Sequence, residues 1–437
     1  MKLLFFDDHY VAARPNIERR YFRPEKLGEF HDGTDQLQLY TSYFYDPTVG
    51  KYRLYYEAPI PGLGTEVRTL KLYEADSAEA LLGGQAVRRE VVLPQEHHGI
   101  HGCSVLLNLA APAERRYLMV GNAYAEDKKK RYFCRAFSAD GLTFTDLERI
   151  DPTCQGSDYK DTYNSVYYNP HTEEYVATTR CTIMDRRVAV IRSKDGKEWS
   201  KPRLLLHPTS DGNFGTQYYA LGVSRLEGVF YGILWRFITD LDHPDFTDMG
   251  GQMENDLLYS YDGDCFTPTG LAPLCRRPAP PEYGCSQLWL LNMVEQGDRY
   301  ILCGGATNID HGAAYGDDKF AVTVFYAIRK DGFCALGGDS EKSIVYTKPF
   351  IYEGGPIRLN YDAKAGQLAV AILDANGTPV AGFDFADAAP LTGTEQVDAP
   401  LPFDTEPLCG KRIRFAFRLN GAKLYAVTFE GRPDFHG

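Results

Sequence analysis

Short apolar and aromatic runs recur along the chain, and ten of them come as five pairs. These are SYFYDPTVGKYRLYYEA from residue 42, SVLLNLAAPAERRYLMVGNA from 104, SVYYNPHTEEYVATTR from 165, YYALGVSRLEGVFYGILWRF from 218 and LWLLNMVEQGDRYILCGGAT from 288. In each, two runs of strand length flank a turn, through residues such as Asp46-Pro47, Asn169-Pro170 or Glu227-Gly228. That pattern predicts antiparallel hairpins. Nearly every position in the paired runs is apolar, so the strands are expected to be covered on both faces. The pairs start about every 60 residues, which marks an internal repeat.

A second mark follows the last four pairs: SADGLTF at 138, SKDGKEW at 193, SYDGDCF at 260 and RKDGFCA at 329. The first pair is followed only by YEADSAEAL, without the glycine. Asp-Gly turns between β-type residues join strands. One more short strand comes later in the repeats, as VVLP, RLLLHP and SIVYTKPF. Four strands per repeat, five repeats and no long amphipathic helix predict an all-β fold led by a five-bladed β-propeller over residues 1–350. Glu353-Gly354-Gly355-Pro356 reads as a linker. Residues 356–437 alternate in strand fashion with turns at Asn376-Gly377 and Asn420-Gly421, which predicts a C-terminal β-sandwich. The opening KLLFFDDHYVA is strand-like and either closes the ring by pairing with the last blade or lies across the propeller.

A length of 437 residues exceeds one ordinary core. Aromatics at 13%, with 41 Gly and 25 Pro, suit short strands and tight turns. A net charge of −12 argues against a phosphate-binding surface, so nucleic acid is not an expected partner. No apolar run is long enough to span a membrane as a helix, and a membrane partner is not expected. The run Leu3–Phe6 is stopped by Asp7 and Asp8, which is not the pattern of a secretory signal. The ten cysteines are scattered without a CxxC pair and read as free thiols of a reducing cytoplasm. Nothing in the sequence fixes an oligomeric state.

A five-bladed propeller followed by a β-sandwich resembles glycoside hydrolases of families 32 and 43, over nearly the whole chain. The opening LFFDD, the S-x-DG-x-x-F/W turns and the late RKDGF look like an uncharacterised bacterial group of such proteins. The turns also resemble the Asp-box of sialidases, a structural turn. The Asn-Asp-Pro-Asn-Gly opening, the Arg-Asp-Pro and the Glu-Cys of family 32 are absent, so catalytic residues do not transfer by motif. The resemblance implies a glycosidase acting on short oligosaccharides or glycosides through two carboxylates, with no cofactor.

Propeller geometry then nominates the residues. Inner strands begin at one mouth, second strands end there, and third strands begin there again. Asp35, His101, Asp161, Gln217 and Gln287 flank the first-strand starts. Glu57, Asn122, Arg180, Trp235, Arg236 and Asn308 end second strands, and Glu254 begins a third. Asp161 and Glu57 form the expected catalytic pair, with Asp35 and Glu254 in reserve. A carboxylate entering an apolar strand is costly without a task or partner, although Asp161 could instead cap the turn at Tyr163. Across the third hairpin Asp161 and Arg180 are expected to meet. His101, Asn164, Arg180, Gln217, Trp235, Arg236 and Gln287 are the expected substrate-binding groups, with Trp235 stacking on a sugar ring. The cluster His97, His98 and His101 lacks helical metal-ligand spacing, so no metal is expected. The acidic segment 238–253 is expected over the funnel as a lid. A non-catalytic carbohydrate-binding propeller is the alternative.

Overall fold

The computed structural model describes residues 1–33, 37–65, 67–94, 98–126, 131–150, 162–183, 185–208, 216–239, 250–312 and 321–434. The chain is nearly all β. Its helical pieces among the described residues are Ala78–Leu82 and the 3₁₀ turns Ala113–Arg115 and Glu406–Leu408. It divides into two compact units.

The larger unit, Pro24–Pro268 with Ala272–Ala327, is a β-propeller. Its described strands fall into five antiparallel groups of four, some of them bridged into larger sheets. Blade one is Leu39–Asp46, Lys51–Pro59, Arg68–Ala75 and Val87–Arg89. Blade two is Ile100–Leu107, Tyr117–Tyr124, Arg131–Ser138 and Phe144–Arg149. Blade three is Val166–Asn169, Glu174–Ile183, Asp185–Ser193 and Arg203–Leu206. Blade four is Thr216–Leu226, Val229–Thr239, Gly251–Ser260 and Thr267–Pro268. Blade five is Gln287–Gln296, Arg299–Thr307, Ala321–Arg329 and, from the other end of the sequence, Glu25–Phe30.

Both faces of a blade are apolar because each packs against a neighbour. Tyr55, Leu72, Val105 and Met119 fill the space between blades one and two. Leu118, Phe137, Val176 and Ile191 do so between two and three. Tyr167, Val190, Leu221 and Phe230 follow between three and four, and Tyr43, Leu54, Ile301 and Phe325 between five and one. The inner strands are also stitched together by a side-chain acceptor that recurs at each step. Ser42 Oγ accepts from Val105 N (2.9 Å), Ser104 Oγ from Val166 N (3.0 Å), Ser165 Oγ from Val223 N (3.1 Å) and Ser224 Oγ from Met293 N (2.9 Å). Asn292 Oδ1 accepts from Tyr43 N (3.1 Å) and completes the circle.

The second unit is Met1–Arg23, Thr269–Leu271 and Ile328–Gly437. Two of its strands bend and run on from one sheet layer into another: Cys334–Thr347, and Arg412–Pro433 with its turn at Gly421. Phe350, Phe415 and Phe429 interlock between the layers, at centroid distances of 5.2 to 6.4 Å. This is a sandwich built partly from shared strands.

Four details differ from the sequence expectation. Lys2–Leu4 pairs with Ala426–Thr428 of the second unit, not with a blade. The strand that completes blade five is Glu25–Phe30, and SIVYTKPF lies in the second unit. In blade one the fourth strand is Val87–Arg89 rather than VVLP. Glu353 to Pro356 is not a linker but a stretch of the strand Phe350–Asp362, with Gly354 and Gly355 at positive φ. Residues 1–23 and 328–350, assigned above to the propeller, therefore fall in the second unit.

Candidate functional site

Asp35 and Asp161 lie outside the described residues, as do His97 and 240–249, most of the expected lid. The site is therefore built from the described strand ends alone.

Tyr40 enters blade one with φ +52°, a conformation few side chains adopt. Its half-buried ring stacks on Tyr163 (6.1 Å, 21°) and Trp235 (6.3 Å, 15°). Tyr163 is buried beside it. Its hydroxyl donates to Thr41 O (3.1 Å) and sits among Ser42, Asn292 and Ser104, which belong to three different blades. Burial pushes that hydroxyl up to about 12, so it stays protonated. Trp235 is 1% exposed and donates Nε1 to Leu290 O at 2.7 Å. That overturns the stacking role expected for it, because no face of the indole is open to a sugar.

Glu57 ends its strand as expected but turns inward, with no exposed surface. Its Oε1 accepts from Cys103 N (2.6 Å), and its Oε2 faces Arg68 Nη1 at 3.5 Å. Burial raises its pKa, opposed by Arg68, His101 and the amides of Cys103 and Gly102. Arg68 Nη1 also lies 3.1 Å from His101 Nδ1, and its Nε donates to Thr65 O. The guanidinium passes 5.4 Å from the centre of the Tyr40 ring.

Asn164 is fully buried and acts as a clamp. Its Nδ2 donates to Gly102 O and Thr162 O, both at 2.9 Å, and its Oδ1 accepts from Thr179 Oγ1 at 2.7 Å. Thr162 Oγ1 donates to Tyr219 O at 2.8 Å. Thr162, next in sequence to Asp161, is thereby tied to blades two and four.

Arg180 lies over the Tyr219 ring at 4.2 Å, and Arg186 approaches the same ring at 5.4 Å. Arg186 Nη1 donates to Gln217 Oε1 at 2.8 Å, and Tyr219 Oη meets His311 Nε2 at 3.2 Å. Gln287, fully buried, donates to Ile309 O at 2.6 Å. Arg236 and Glu254 form a separate group. Arg236 binds Glu254 (2.7 Å) and Asp256 (3.0 Å), and Arg277 binds Glu254 at 3.3 Å. Burial raises the Asp256 pKa, opposed by Arg236 and reinforced by Glu254. Glu254, held by two guanidiniums, is an ion-pair partner.

Tyr40, Arg68, Arg186, Tyr219 and His311 were not singled out from sequence. A signal existed for two of them. Third strands begin at this mouth, and that rule, used above for Glu254 alone, points also to Arg68 and Arg186.

The opposite mouth, where the hairpin turns lie, holds a cavity of about 740 Å³. Tyr43, Phe44, Tyr52, Leu107 and Tyr168 line it, with Arg225 and Glu295 its charged groups. One carboxylate and mostly apolar walls make it a poor host for acid–base chemistry on a sugar. The mouth around Tyr40 collects the polar groups and is the better candidate.

No family model and no curated protein sequence matches the chain. Solved structures do. One is BT0996, solved as an RGII complex, at 13% identity and TM-score 0.51, covering 71% of this protein and 93% of that one. Another is an N-acetylgalactosamine deacetylase from F. plautii with blood group B trisaccharide, at 12% identity and TM-score 0.50, covering 73% and 97%. A GH32 β-fructofuranosidase from Bombyx mori aligns over 94% of both proteins at 10% identity and TM-score 0.48. The first two likenesses support the fold and reach no further than the fold.

Proposed function

We propose that the protein is a glycoside hydrolase acting on short oligosaccharides or glycosides at the propeller mouth around Tyr40. Asp161 is one of its two carboxylates. The observation that carries this reading is the tie on Thr162. Thr162, next in sequence to Asp161, bonds Tyr219 O of blade four and, through Asn164, is linked to Gly102 O of blade two, one residue from His101. Bonds between blades at Thr162 support a site at this mouth, because a catalytic side chain needs close placement. Solved structures of this fold that carry sugar complexes, the blood group B trisaccharide among them, favour a carbohydrate ligand.

The second carboxylate is Asp35 in this reading. Glu57 has no exposed surface and Glu254 is paired with two arginines, which makes both weaker candidates. Guanidinium and imidazole groups offer donors to sugar hydroxyls, and Tyr40 offers a ring face. The burial of Glu57 also favours a second reading, a carbohydrate-binding propeller without turnover, because it removes one carboxylate of the pair first expected.

The test is a screen of aryl glycosides and oligosaccharides, pyranosides and furanosides alike, with Asp161→Asn and Asp35→Asn examined on any hit. Each variant should lower turnover by about 10²–10⁴-fold while oligosaccharide binding survives. Full activity in Asp161→Asn would refute its assignment. Wild-type protein that binds sugars and turns over none of them would establish the binding reading.

A further inference from the structure

We propose that Arg68 is a positioning residue that fixes His101 as the neutral imidazole with its proton on Nε2. Arg68 Nη1 lies 3.1 Å from His101 Nδ1, within hydrogen-bonding distance. A guanidinium has donors only and stays charged. Nδ1 must therefore be the acceptor and carry no proton, which leaves the ring's proton on Nε2. Which nitrogen holds the proton is set by what the other one meets.

Arg68 is held in place to do this. Its backbone pairs with Ile100 and bridges blade one to blade two one residue before His101. Its Nε donates to Thr65 O at 2.8 Å, and its Nη1 faces Glu57 Oε2 at 3.5 Å. The Tyr40 ring lies against it. Glu57, fully buried and bonded to the Cys103 amide, thus acts through Arg68 and not on substrate. His101 is 3% exposed and stands at the start of its strand. In this form Nε2 is a donor, so any sugar atom that meets it is an acceptor oxygen. A site set in this way does not use His101 as a general base through Nδ1, whose lone pair is taken. The identity of the ligand rests on the glycoside reading above, whereas the tautomer does not.

The test has two arms. In the first, ¹⁵N spectra of the full chain at neutral pH report both ring nitrogens of His101. The expected wild-type result is an unprotonated, accepting Nδ1 and a protonated Nε2, and in Arg68→Met a ring that samples both tautomers. A protonated Nδ1 in the wild type overturns the proposal, and this measurement needs no variant to fold. In the second arm His101→Gln, whose amide nitrogen reaches the Nε2 position, is compared with His101→Asn, whose amide reaches the Nδ1 position. On any glycoside hit the Asn variant should raise KM, or Kd for a bound sugar, by about 10-fold more than the Gln variant. Equal effects of the two variants would overturn the role in binding. If no glycoside is bound or cleaved, the glycoside reading falls and the spectra still decide the tautomer.

Discussion

A methyl group on Gly102 would lie 1.9 Å from the carbonyl oxygen of Thr162, and φ at this residue is already +70°. Gly102→Ala should therefore force blades two and three apart at the mouth and cost about 3 kcal/mol or more. Gly50 has φ +67° with nothing within 4 Å of a Cβ, so Gly50→Ala should cost only about 1 kcal/mol. Urea denaturation of both variants checks the difference, and equal losses would show that the clash is relieved at no cost. At this scale the sequence located strand ends well and side-chain direction badly. Glu57, His101 and Gln217 do stand at strand ends near one mouth. What the pattern could not tell is that Glu57 turns to amides of the next blade, or that Trp235 finds the Leu290 carbonyl. Those partners sit 46 and 55 residues away in the chain, beyond any local periodicity. The same distance hid Arg68, whose importance comes from His101 on the neighbouring blade.

The S-x-D-G turns were legible as elements, and their structure explains why they recur. In each, the Asp carboxylate accepts two backbone N–H bonds and the Ser hydroxyl accepts from the glycine, as at Asp140, Asp195 and Asp262. The previous blade then grips two of them. Arg53 and Tyr55 of blade one donate to Asp140 O and Gly141 O, and Asn169 and Tyr167 of blade three donate to Asp262 O and Gly263 O. Partial burial alone would raise these three aspartate pKa values, but the amide and serine hydrogen bonds outweigh it and lower them. A lowered folded-state pKa means the unfolded chain binds more protons between the two values. The stability is thus complete above the ordinary aspartate range, near 4, and is lost as pH falls through the lowered values. Thermal unfolding followed from pH 6 to pH 2 should show this acid limb, and Asp140→Asn with Asp262→Asn should flatten it. An unchanged limb in the double variant would assign acid sensitivity to other carboxylates.

For the whole molecule, the propeller was legible because covered strands and repeated turns are local facts summed along the chain. Its closure was not, because Glu25–Phe30 reads EKLGEF, a short and charged edge strand without an apolar run. Closure rests on that strand beside Thr323 to Ala327, on Gln38 Oε1 accepting from Thr323 N and Oγ1, and on Asn292 Oδ1 accepting from Tyr43 N. Asn292 is the one member of the inner hydrogen-bond circle that is not a serine. It joins blades whose inner strands lie 249 residues apart along the chain. Asn292→Ala would leave the Tyr43 amide without its acceptor and should cost about 1–3 kcal/mol. Ser224→Ala removes the equivalent acceptor for Met293 N, between blades that are consecutive in sequence, and should cost about as much. The two should differ in how the ring opens. Blades four and five stay tethered by the chain between Thr267–Pro268 and Gln287–Gln296, whereas the three strands of blade five within residues 287–329 are held to blade one only by contacts, among them those of Glu25–Phe30, the strand that the chain links to blade one. Native-state hydrogen exchange should therefore lose protection first in Leu39–Asp46 and Gln287–Gln296 for Asn292→Ala, and show no such bias for Ser224→Ala. The same order of exchange in both variants would mean that the ring opens at another seam, and that Glu25–Phe30 with Gln38 holds the closure without Asn292.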